Sequence, residues 1–183
     1  MLELAGYEIV ERIHEGARRV VWRGRREADG LPVVLKALRE NTPHPHLLAG
    51  MRNEYAVTAG IDSNRVARAL ALEAAGGSLV LVLEDFGGRS LAGVVARGLL
   101  EPPGLMDAAI KLAEALGDVH RARVIHRDVK PSNVVLNLQT GEVKLTDFSI
   151  AAPLAPGEKQ LDPGGPMERS EEHTSELQSL LII

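Results

Sequence analysis

Val124-Ile-His-Arg-Asp-Val-Lys-Pro-Ser-Asn-Val-Val-Leu136 is the stretch on which the reading of this chain turns. Asp128, Lys130 and Asn133 stand on a proline-containing segment that runs straight into an apolar run, Val134 to Leu136. A second short apolar run, Val143 to Leu145, follows the tight-turn signal Thr140-Gly141, so the two runs are expected to pair as a small hairpin with polar residues at both edges. Loops held at the edge of a rigid scaffold are where binding and chemistry concentrate. Ahead of the stretch, Pro102-Pro103-Gly104 marks a helix start, and Leu105, Ala109, Leu112, Leu116 and Val119 keep the spacing of an apolar helical face.

Further towards the N-terminus the pattern changes to β-rich runs. Tyr7 to Ile13, Val20 to Arg26 and Leu31 to Leu38 read as three antiparallel strands, the last two joined through Asp29-Gly30. Asn41-Thr-Pro-His-Pro-His46 reads as a loop, after which Leu48, Met51, Tyr55 and Ala59 keep helical spacing. Val66 to Ala74 and Leu79 to Leu83 flank Gly76-Gly77, a second hairpin signal, and Gly87-Gly88 closes this first lobe. Beyond Pro153 the periodicity is lost, and the core is expected to end near Ala152.

Composition sets the outer bounds. A chain of 183 residues, 45% hydrophobic and 25% charged, is expected to form one globular domain. Its net charge of -4, with both signs interspersed, lacks the basic footprint of a nucleic-acid binder. Without cysteine there is neither a disulfide framework nor a thiolate zinc site, and a cytoplasmic, reducing compartment is the expectation. The first residues carry acids where a signal peptide needs a basic flank, and no apolar run approaches the roughly 20 residues that span a bilayer, so no membrane insertion is expected. Of the six histidines, His44 and His46 sit in the proline loop and His120 and His126 flank a helix end, a distribution from which no metal-ligand set emerges.

The 124–136 stretch resembles the catalytic loop of serine/threonine protein kinases, and the resemblance runs from about Gly6 to Ala152. It implies an α+β, two-lobed protein kinase-like fold. The N-lobe would cover about residues 6–83, the hinge about 84–88, the start of the C-lobe 89–152 and an incomplete activation segment 153–168. It also implies ATP and Mg2+ as the small partners and a protein Ser/Thr hydroxyl as acceptor. Phosphoryl transfer needs in-line positioning, metal ions that neutralise charge and an acceptor for the hydroxyl proton. By resemblance Asp128 is that acceptor, Lys130 stabilises the γ-phosphate and Asn133 holds one metal ion. Lysine two places after the aspartate favours Ser/Thr over Tyr. Val143-Lys-Leu-Thr-Asp147-Phe-Ser149 resembles the metal-binding Asp-Phe-Gly strand end, which makes Asp147 the second metal ligand. Lys36 would orient the α- and β-phosphates and be held by Glu54, with Glu40 as the competing glutamate. Taken alone, a strand lysine is an exposed face and a helix glutamate a solvated one; the catalytic loop is what joins them. Gly16 and Val21 belong to the phosphate-covering loop, Leu83, Glu84 and Phe86 to the gate and hinge against which adenine lies, and His126 packs under the catalytic loop.

The chain departs from the family in two places. Ile13-His-Glu-Gly16-Ala-Arg-Arg19-Val-Val21 keeps only the second motif glycine, with His14 and Arg19 at the other two, so nucleotide closure should be altered; Arg18 and Arg19 either offset this by charge or are two solvated side chains at a hairpin tip. Ser149 replaces the glycine that lets the Asp-Phe-Gly segment swing, and slower switching is expected. These departures motivate a rival reading, a pseudokinase scaffold. The opening residues and Asp-Phe-Ser-Ile-Ala are similar to the kinase module of large bacterial multidomain sensors that also carry ATPase and histidine-kinase parts. Arg169-Ser-Glu-Glu-His-Thr-Ser-Glu-Leu-Gln-Ser179 resembles a translated sequencing adapter, so residues 169–183 are expected to be an artefactual tail. The C-lobe is expected to be cut off after Asp-Phe-Ser, leaving a fragment of poor stability and no useful activity.

Overall fold

The computed structural model describes residues 4–39, 44–75 and 78–154. The first lobe is built from β1 (Tyr7–Glu15), β2 (Arg19–Arg26), β3 (Pro32–Leu38), α1 (Pro45–Ala59), β4 (Ala69–Ala75) and β5 (Ser78–Glu84). Its strands form a five-stranded antiparallel sheet in the order β1-β2-β3-β5-β4. Asp29-Gly30 makes the β2–β3 turn as expected: Gly30 takes φ 71°, open to a residue without Cβ, and the Asp29 carboxylate accepts from the Leu31 N–H at 3.1 Å. Gly76-Gly77 lies outside the described residues, and the flanking pair Ala75↔Ser78 closes the β4–β5 hairpin around it.

Alternation along β3 divides the lobe's apolar contacts. Val33, Leu35 and Ala37 pack with Val80, Val82 and Trp22 on one face, while Leu38 and Val34 join Leu47, Met51, Leu81 and Leu83 on the α1 face. Lys36 shares that second face by the same period of two. α1 starts at Pro45, three residues before the apolar spacing suggested, because proline suits the first helical turn. Its buried stripe is Leu47, Met51, Glu54 and Thr58, one residue away from the expected Leu48, Tyr55 and Ala59.

The second lobe continues with β6 (Arg89–Ser90), α2 (Leu91–Ala96), α3 (Pro102–Arg121), β7 (Val124–Ile125), a 3-10 turn over Pro131–Asn133, β8 (Val134–Leu136), β9 (Val143–Leu145) and β10 (Ala152–Pro153). β8 and β9 pair as the expected hairpin, and β6 adds a third strand beside β8. α3 turns Leu112, Leu116 and Val119 of its expected apolar stripe inward, but not Leu105 and Ala109 near its start. Ala108, Ala115 and Val119 are buried, with Leu112 and Leu116 packed beside them, whereas Leu105 is 45% exposed. The helix carries apolar residues on more than one side, Met106 and Ile110 among them, and periodicity alone could not tell where along its length the inward stripe begins to be covered.

Val66 was expected to open β4, yet it forms a parallel bridge with Leu145 instead. Leu145 N–H donates to Arg65 C=O at 2.8 Å and its C=O accepts from Ala67 N–H at 2.9 Å, so these backbone groups join the two lobes rather than the first sheet. Among the described residues, no helix is long and apolar enough to cross a membrane.

Candidate active site

Between the lobes lies a cleft of about 650 Å³, lined by Val21, Lys36, Leu83, Glu84, Phe86, Lys130, Asn133 and Asp147 among others. Lys36 points from β3 towards α1, where its Nζ donates to Glu54 Oε2 at 2.7 Å. Both side chains are almost fully buried, 8% and 1% exposed, so each needs the other's charge. Glu54 is therefore the partner glutamate; Glu40 lies outside the described residues. Lys36 Nζ also stands 3.1 Å from Asp147 Oδ1, which joins β3, α1 and the segment after β9 at one point.

Asp147 takes φ 64° and Arg127 φ 67°, left-handed conformations that a side chain adopts only when its surroundings hold it there. His126 supplies part of that hold. Its Nδ1 accepts from the Asp128 N–H at 3.2 Å, and its Nε2 donates to the Thr146 carbonyl at 3.0 Å, which assigns the Nε2–H tautomer. Its ring meets the fully buried Phe148 edge-on at 4.5 Å. The expected bracing role of His126 thus has its contacts. Asn133 Nδ2 donates to both the backbone oxygen and Oδ2 of Asp128, each at 2.9 Å, and Lys130 Nζ reaches the same Oδ2 at 2.9 Å.

Burial by itself would raise the Asp147 carboxyl, but Lys36 and Arg19 beside it, with a Ser149 hydrogen bond, outweigh burial and hold it well below the usual carboxylate range. The carboxylate is ionised at neutral pH. With its amide nitrogen engaged by Asp128, Asn133 is left with Oδ1 as a ligand atom. Carbonyl and carboxylate oxygens are the donors a hard cation such as Mg2+ takes, usually from one or two protein groups with substrate phosphates completing the shell. Asn133 and Asp147 fit that requirement.

Three expected site residues stand off the cleft lining. Gly16 sits in the β1–β2 turn, where its N–H donates to the Arg19 carbonyl at 2.9 Å; Glu54 lies beneath Lys36, and Asp128 is held behind Lys130 and Asn133. In the hinge, the Glu84 carboxylate is engaged by Lys144 at 2.7 Å and the Arg68 N–H at 2.9 Å, and Lys144 Nζ also stands 5.1 Å from the Phe86 ring centre. Other participants were not anticipated. Asn53 Nδ2 faces the carbonyls of Phe148, Ser149 and Ala151 at 3.1, 3.3 and 2.9 Å, which moors Ser149 to α1. Arg23 donates to Asp85 at 2.9 Å, tying β2 to the hinge. Arg19, given above as a loop substitution, bonds Asp147 through one nitrogen at 3.0 and 2.8 Å.

The sequence matches the family described as "Protein kinase domain" over residues 7–173. It is 26% identical over 154 residues to the serine/threonine-protein kinase sid1 of Schizosaccharomyces pombe, an alignment covering 84% of this chain and 32% of that protein. It is 32% identical over 154 residues to the serine/threonine-protein kinase PknA of Corynebacterium glutamicum, covering 80% and 33%. A third relative, the Arabidopsis thaliana serine/threonine-protein kinase ATG1a, is 29% identical over 153 residues, covering 82% and 24%. The chain thus spans a third or less of the length of these relatives.

Proposed function

The chain belongs to the protein kinase domain family, and on that premise we propose that its cleft transfers the γ-phosphoryl group of ATP to serine or threonine hydroxyls of a protein. The observation that carries this reading is the buried Lys36–Glu54 pair set against Asp147, on the same cleft as Lys130 and Asn133. Lys36, fixed by Glu54, presents its ammonium to the nucleotide phosphates. The acceptor oxygen attacks the γ-phosphorus as the bond to the β,γ-bridging oxygen breaks, ADP leaves with that electron pair, and Asp128 receives the hydroxyl proton. Lys130, paired with Asp128 at 2.9 Å, stands where it can turn to the transferred group. Mg2+ held by Asp147 and Asn133 would supply the charge that offsets the phosphates. Lys130, two places beyond Asp128, and the names of the three relatives support Ser/Thr as acceptor.

The test is Asp128→Asn in the full-length protein, measured as transfer from γ-labelled ATP to a mixed Ser/Thr substrate and, separately, as nucleotide binding. The expected result is transfer reduced by about two orders of magnitude or more with binding retained. Transfer unchanged in the variant would remove Asp128 from the chemistry. A second reading, a nucleotide-binding scaffold without transfer, is favoured by one observation, the Arg19 contact on Asp147; it predicts binding but no transfer in the wild type as well.

A further inference from the structure

The side chain the mechanism leaves unused is Arg19, the first residue of β2, at the edge of the loop expected to cover the phosphates. Its NH1 reaches across the cleft to Asp147, lying 3.0 Å from Oδ1 and 2.8 Å from Oδ2, while Lys36 Nζ takes a second position on Oδ1 at 3.1 Å. Both carboxylate oxygens are therefore occupied by cations of the protein. The two side chains are 25% and 18% exposed, sheltered enough for the pair to outweigh a fully screened surface contact. A second constraint holds the main chain that carries this carboxylate in place beside Arg19. Asp147 is fixed in a left-handed backbone conformation, and the Asn53 bonds hold the following residues against α1.

We infer that Arg19 is an internal counter-ion that competes with the divalent metal for Asp147, so that metal-dependent nucleotide binding requires Arg19 to release Asp147 and the loop edge to lift. This rests on the reading of the cleft as a metal–nucleotide site. A divalent cation drawn to either oxygen would meet the Arg19 guanidinium nitrogen already within 3.0 Å of both, and like charges at such separations repel. Glycine at this position would offer no such competitor. Arg19 thereby sets how much metal the site demands before nucleotide is held.

The experiment is a Mg2+ titration of the binding of a non-hydrolysable ATP analogue to the full-length protein, comparing wild type, Arg19→Gln and Arg19→Lys. Arg19→Gln should lower the Mg2+ midpoint by about three- to tenfold, the range expected for losing one partly sheltered charge-assisted pair, and Arg19→Lys should fall between. In an Asp147→Asn background, where there is no carboxylate to compete for, Arg19→Gln should leave the midpoint unmoved. An unshifted or raised midpoint in the single variant would overturn the inference; the raised one would make Arg19 a phosphate ligand instead. If wild type and variant both bind no analogue at any Mg2+ concentration, the reading of the cleft fails. If the wild type binds and the variant's midpoint is unshifted, only the competition fails.

Discussion

Lys36 and Glu54 are equally buried but not equally dependent on each other, and this asymmetry yields a quantitative prediction. Removing Lys36 leaves Glu54, 1% exposed, facing no other cation among the described residues, where its side chain bonds Lys36 alone. Breaking a buried pair in this way costs about 3–5 kcal/mol. Removing the Glu54 charge is gentler, because Lys36 still has Asp147 at 3.1 Å and Gln at position 54 can accept a hydrogen bond. That loss should be about 1–2 kcal/mol, the worth of one charge-assisted hydrogen bond with a substitute in place. Lys36→Met should thus lower stability by roughly 2 kcal/mol more than Glu54→Gln, and adding Glu54→Leu to Lys36→Met should recover much of the deficit. Urea unfolding of the four proteins, with the slope held constant, reads this directly. Equal losses, or a double variant no better than Lys36→Met, would refute the reasoning.

Two further predictions follow from contacts outside the metal ligands. Asn53→Ala should speed amide exchange of Ala151 and its neighbours by about five- to thirtyfold, as loss of one or two net hydrogen bonds of about 1 kcal/mol each implies, and Asn53→Asp should do more because a carboxylate would face three carbonyls. Identical protection in all three proteins would exclude this mooring. The Ser63 hydrogen bond to Asp118, acting against partial burial and helped by Arg65 and Arg121, holds that carboxyl below its ordinary value. A depressed folded value gives stability that is present above about pH 4 and lost as the pH falls through the folded value. Asp118→Asn should therefore flatten the acid limb of the urea midpoint against pH, and an unchanged limb would place that stability elsewhere.

The elements carrying short-range signals were legible in the sequence. Asp29-Gly30 and Thr140-Gly141 make their turns, with Gly141 at φ 70° and its N–H bonded to Asn137 O at 2.8 Å, because a glycine turn is decided within a few residues. Lys36 and Glu54 were within reach only through the resemblance of residues 124–136 to the kinase catalytic loop, since the apolar face expected for α1 ran through Leu48, Met51 and Tyr55 and passed Glu54 by. Other features depended on packing between distant segments. Arg19 meets Asp147 across 128 positions, Arg23 meets Asp85 across 62, and Asn53 meets Phe148 across 95, contacts that no local pattern announces. Polar residues at such positions read as solvated until the fold brings them together. The expected inward stripe of α3 held at Leu112, Leu116 and Val119 and failed at Leu105 and Ala109, for a related reason: spacing does not tell where along a helix its neighbours begin to cover it, and Ala108 is buried where Ala109 is not. α2 was missed because it spans only Leu91–Ala96; its start, where Ser90 Oγ accepts from the Gly93 N–H at 3.2 Å, is the one local signal that could have found it.

The most direct measurement is phosphoamino-acid analysis of a protein substrate incubated with γ-labelled ATP, Mg2+ and the full-length protein, with Asp128→Asn in parallel. The account predicts label on phosphoserine and phosphothreonine with the wild type and a near-complete loss with the variant. Label on tyrosine alone, equal label with the variant, or no label with a wild type that binds nucleotide would contradict it.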